Sequence, residues 1–314
     1  MGTPVRVALF VTALALVFGT AWGVGRVVED RVGPVEVATD DHTTDEAGGH
    51  GTADEAEAED GHAATPAAPA VDVPGGLQVS ESGYTLQLPA SGLAPGRTTL
   101  RFVVTDPDGE AVTAYDEEHE KDLHLIVVRR DFSGYQHVHP TMTPDGTWTT
   151  DVDLTPGSWR VYADFTPTGG PALTLGTDLD VPGRYAPAAH PGQRVSDTVG
   201  GYTVDLEGDL DDGAVTVRVS RDGEPVTDLE PYLGAYGHLV ALREGDLAYL
   251  HVHPEDGDAG PEVPFAVEVP SEGGYRLFFD FKHDGVVRTA ELAVRSGSRE
   301  AAVDTHGEEE SHGH

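Results

Sequence analysis

Cysteine is absent from the 314 residues, which excludes disulfides, thiolate nucleophiles, iron–sulfur clusters and cysteine-based zinc sites. Methionine occurs only at positions 1 and 142, so a transition metal would have to rely on histidine and carboxylate. Lysine is as scarce, at Lys121 and Lys282, and 19 Lys+Arg stand against 55 Asp+Glu for a net charge of −36. A nucleic-acid surface needs basic residues gathered on one face, so no nucleic-acid partner is expected. Cations are what such a field attracts. The chain has neither a G-x-S-x-G nucleophile elbow nor a phosphate-cradling glycine loop, and an enzyme is not the expected class.

The N-terminus holds 19 uncharged residues, Val7 to Gly25, between Arg6 and Arg26. That is close to one helical span of a bilayer, so residues 1–26 are predicted to be an uncleaved membrane anchor, with signal cleavage and secretion as the alternative. Residues 27–75 are rich in Ala, Asp, Glu, Thr and Gly with few large apolar side chains, and 296–314 have a similar His/Glu character. Neither stretch can bury enough surface to offset chain entropy, so both are predicted to be disordered.

Between them lie two copies of one pattern, 76–183 and 192–295, separated by the Pro/Gly-rich "VPGRYAPAAHPG". Each copy has short alternating runs, an Asp-Gly turn ("TDPDGEAV", "SRDGEPV") and a late strand ("GSWRVYADF", "GGYRLFFDF"), with no long helical period. The predicted fold is all-β: two tandem immunoglobulin-like β-sandwich domains behind the N-terminal transmembrane helix and the acidic linker.

Histidine is the residue that the copies keep. Aligning His119–Pro140 with Leu233–Pro254 leaves eight identities in 22 positions, and they include His124/His238, His137/His251 and His139/His253. In a strand, alternate side chains share a face, so both members of each H-V-H point the same way and the intervening valine points opposite. A hairpin with the preceding "HLIVVR" or "HLVALR" returns His124 beside His139, and His238 beside His253. Three neutral imidazoles with an open fourth position suit Zn(II), Cu(II) or Ni(II), one site per repeat, and the lack of sulfur ligands disfavours Cu(I). Candidate fourth ligands are Asp164 and Asp280, at equivalent places in the late strands, with His119 and His283, which the copies do not share.

The run "HEKDLHLIVVRRDFSGYQHVHP" resembles the exported YtkA-like/FixH-like domains of Gram-positive bacteria. The resemblance implies an immunoglobulin-like fold, an association with copper handling that helps to rank Cu(II) first and Zn(II) second, and copper contacts at His124, His137 and His139, and at His238, His251 and His253. The expected function is therefore a membrane-anchored, extracytoplasmic metal-binding protein for sequestration, delivery or resistance, its protein partner unknown. The alternative is a non-enzymatic extracellular protein-binding or adhesion module. If Val7–Gly25 spans the membrane, the protein should remain in the membrane fraction through a high-salt wash, because apolar burial rather than charge holds it. A soluble form beginning after residue 25 would mark a cleaved signal instead.

Overall fold

The computed structural model describes residues 73–88, 93–250, 252–255 and 257–297. The expected membrane segment (1–26), nearly all of the acidic linker (27–75) and the tail beyond residue 297 lie outside them. Among the described residues no helix is long and apolar enough to cross a membrane. Their one helical element is a 3-10 turn at Leu210–Asp212, where the Asp209 side chain accepts from the Asp211 N–H and Gly213 closes the turn at φ 76°.

Everything else regular is antiparallel strand. In the first repeat one sheet runs, in spatial order, Ser80–Glu81, Tyr84–Gln87, Gly96–Thr105, Thr147–Leu154 and Thr141–Met142. The facing sheet runs Leu173–Val181, Gly157–Pro167, His124–Arg129 and Gln136–Val138. The second repeat has Ser196–Val199, Tyr202–Asp209, Ala214–Arg221, Glu262–Val267 and Val252–Pro254 in one sheet. Tyr249–Leu250, His238–Arg243, Gly273–His283 and Val286–Ser296 form the other. Both repeats thus divide their strands between two antiparallel layers in the immunoglobulin-like way.

Alternation fills each sandwich. Leu86, Leu100, Phe102 and Val104 of one sheet meet Leu125, Val127, Trp159 and Val161 of the other in the first core. Val204, Val217 and Phe265 meet Leu239, Ala241, Leu277 and Phe279 in the second. What the alternation does not account for is the burial of His124–Arg129 along its whole length and of His238–Leu242 likewise. The residues facing away from the two cores form a third one: Ile126, Val128, Phe132 and Tyr162 pack with Val240, Leu242, Leu247, Tyr249 and Phe278. The two sandwiches therefore meet sheet to sheet. Tyr135 stacks on Phe278 with ring centroids 4.0 Å apart, and the Tyr162 hydroxyl donates to the Leu247 carbonyl at 2.6 Å.

A short strap wedges into one side of this seam. The Gly76 N–H donates to the Thr174 carbonyl of the first repeat at 2.7 Å, while the Gly75 carbonyl accepts from the Tyr249 N–H of the second at 2.9 Å. The approach is close enough to demand glycine on both sides: a Cβ on Gly176 would lie 1.9 Å from the Gly76 oxygen, and Gly76 itself sits at φ +71° against Tyr162. Further on, Ala186 and Ala188 of the inter-repeat linker bond to the Arg129–Asp131 pair, and His190 reaches Glu244 at 2.6 Å. Phe278 is fully buried, so Phe278→Ala should cost about 3–5 kcal/mol in a chemical denaturation experiment. A loss under about 1 kcal/mol would mean that the two sandwiches do not pack in this way.

Candidate metal centre at the seam between the repeats

The centre is built where the chain of the first repeat changes sheets just after the strand Gln136–Val138. Gln136–Val138 pairs with His124–Arg129 through Leu125↔Val138, Ile126↔His137 and Val127↔Gln136. Thr141–Met142 already pairs with Thr147–Leu154 of the opposite sheet. His139 and Pro140 make the crossing, and proline lacks the N–H that would continue the first ladder. Val138 packs toward the sandwich core, whereas His137 points into the seam.

Three rings converge there. The His124–His137, His124–His139 and His137–His139 centroids are 5.3, 5.0 and 5.0 Å apart, and one nitrogen from each lies within 4.8 Å of the other two. Hydrogen bonds assign the protons. The Glu118 carbonyl can only accept, so His124 carries its proton on Nε2, 3.0 Å away, and presents the Nδ1 lone pair. His137 Nε2 lies 3.0 Å from that Nδ1 and donates to it. The other His137 nitrogen, Nδ1, donates at 2.9 Å to Asp280 Oδ2 of the second repeat, in a pair whose side chains are 6% and 4% exposed. The proton on His137 Nε2 thus lies where an ion bound to His124 would sit. His139 Nε2 is buried with no hydrogen-bond partner.

The other sequence candidates are placed unequally. His238 repeats the His124 arrangement, its Nε2 donating to the Tyr232 carbonyl at 2.8 Å. Its ring is 6.4 Å from His137 and 5.2 Å from His119, which joins the cluster from a tight turn where His119 and Glu120 have φ 49° and 63°. His251 lies outside the described residues. His253 is exposed, because the second repeat changes sheets sooner: Val252–Pro254 already pairs with Glu262–Val267. Asp164, opposite His124 in register, accepts from Thr174 and from the Tyr249 hydroxyl of the other repeat. His283 bonds Tyr202 and Asp228 instead, at 2.7 and 3.0 Å. Among the described residues only His124, His137 and His139 form a three-ligand group. His124, His137, His238, His253 and Asp164 line an open cleft of about 450 Å³ beside it.

The model of a family described as a domain of unknown function (DUF8832) matches residues 78–183 and again 197–297. The chain belongs to this DUF8832 family. No curated protein matches it. Among solved structures, the chain is similar to the Escherichia coli adhesin FdeC at 17% identity and a TM-score of 0.25, over 69% of this chain and 65% of that one. It thus spans less than two thirds of the adhesin. It is also similar to domains 5-6 of the S-layer protein SbsC, at 13% identity and TM-score 0.21, over 68% of this chain and 98% of that one. A putative membrane anchored protein from Corynebacterium diphtheriae gives 13% identity and TM-score 0.22, over 68% and 57%. Likenesses at these levels carry no inference about what the DUF8832 copies bind.

The seam suppresses charge on His124, His139 and His238. Burial, reinforced by the His137 ring, pushes His124 down to about 3. Burial followed by His137 and His124 pushes His139 down to about 3. Burial lowers His238 to about 4, against the pull of the Tyr232 carbonyl. In the unfolded chain each titrates near 6.5, so between these values the unfolded state binds more protons and stability is lost as pH falls. The metal-free protein should melt at progressively lower temperature below about pH 6.5, and the decline should be shallower in His124→Gln. Melting that is flat from pH 7 to 4 would place these rings in water.

Proposed function

We propose that the DUF8832 pair is a metal-binding protein whose ion sits between His124, His137 and His139, as Cu(II) first and Zn(II) second. The observation that carries the reading is the donor set. One nitrogen of each ring lies within 4.8 Å of the other two; His124 Nδ1 presents a lone pair, His137 Nε2 holds a displaceable proton against it, and His139 Nε2 is buried and unpartnered. Two nitrogens bound at about 2.0–2.1 Å to a tetrahedral ion stand roughly 3.4 Å apart, so the 3.0 Å His124–His137 contact has to open only slightly. Three imidazoles without sulfur suit Cu(II) or Zn(II), and the cleft leaves a fourth position for an exchangeable ligand. The acidic chain attracts cations to it.

The resemblance to exported copper-associated domains and the apolar N-terminal segment support an extracytoplasmic, membrane-anchored setting, with sequestration, delivery or resistance as the role. No hydrolytic or group-transfer step is assigned, and the reading is non-enzymatic. The architecture favours a second reading, a protein-binding or adhesion module: tandem immunoglobulin-like sandwiches offer strand edges and end loops to a partner. Cu(II) and Zn(II) titration separates the two. The metal reading expects one tight ion per chain at the triad, retained when residues 299–314 are deleted and lost in the His137→Ala/His139→Ala double variant. Uptake that follows the tail and ignores the double variant would leave the protein-binding reading standing.

A further inference from the structure

Resting on that metal reading, we infer that Asp280 of the second repeat is a positioning residue for the centre carried by the first. Asp280 Oδ2 holds the Nδ1 proton of His137, so that when an ion displaces the Nε2 proton the lone pair left behind is the one facing His124. The carboxylate is itself held: Thr289 Oγ1 donates to Oδ1, and the strand register sets Asp280 directly opposite His238. A carboxylate behind a metal-bound imidazole fixes ring orientation and strengthens the ligand. Here that carboxylate comes from the other sandwich, so the ion belongs to the seam, and neither repeat completes the centre alone.

The test uses the full chain with Zn(II) as probe. Asp280→Asn should weaken Zn(II) affinity by about 10–100-fold with unchanged stoichiometry. Glu268→Gln removes one negative charge from the same cleft without touching a triad ring and should leave affinity within about threefold, separating positioning from field strength. Nitrogen-15 NMR of the zinc-loaded wild-type protein should find His137 bound through Nε2 with a proton on Nδ1. Equal losses in Asp280→Asn and Glu268→Gln, or no loss in either, would overturn the inference while leaving the metal reading intact. Coordination of His137 through Nδ1 would overturn it without any variant, which also covers an Asp280→Asn protein that fails to fold. Absence of histidine-dependent uptake by the wild type would remove the metal reading and this inference together.

Discussion

The structure depends on two strands being buried on both faces. His124–Arg129 and His238–Arg243 each give one set of side chains to their own sandwich and the other set to the partner sandwich. A polar group on the outer set has no water to turn to and must find its partner inside the molecule. The outer faces are graded accordingly. Ile126, Val128, Val240, Leu242 and Phe278 make the dry middle. At one end Arg160 reaches the carbonyls of Gly76 and Leu77 and Arg276 lies over the Phe132 ring, while the other end gathers histidines and aspartates. The candidate centre is the polar end of an apolar interface, and its low-pKa imidazoles follow from that position.

Among the described residues, duplication of the sequence has given one three-histidine group, in the first copy. Both copies keep the strand, the carbonyl that holds the first histidine, and the turn before it, with Glu118 and Tyr232 in equivalent roles. They differ in where the next strand leaves its sheet. In the first copy Val138 still pairs with Leu125, so both H-V-H imidazoles remain at the seam. In the second, Leu250 pairs with Ala241 but Val252 already pairs with Val267, and His253 emerges at an exposed edge. A shift of a few residues in the crossing is enough to change a ring's surroundings from interior to solvent.

The immunoglobulin-like layering was legible in the alternating runs and turn residues, because side-chain period and turn chemistry are local properties. The grouping of His124, His137 and His139 was legible for the same reason: a hairpin with an H-x-H on one face leaves few alternatives. The cross-repeat role of Asp280 was not, since nothing local distinguishes it from Asp164. The face-to-face packing did leave a trace. "HLIVVR" and "HLVALR" are apolar without alternation, the pattern of a strand covered on both sides, whereas an exposed outer face would have interleaved polar residues. Glu118 and Tyr232 carried no trace, because they act through backbone carbonyls, which every residue has.

The Gly75–Gly76 strap determines where the rest of the chain is attached. Its backbone is hydrogen-bonded to Thr174 and Arg160 on one sandwich and to Tyr249 on the other, and Gln78 continues by accepting from Gly176. The described chain therefore begins at the seam between the sandwiches. A pull on that end loads bonds to both sandwiches at once.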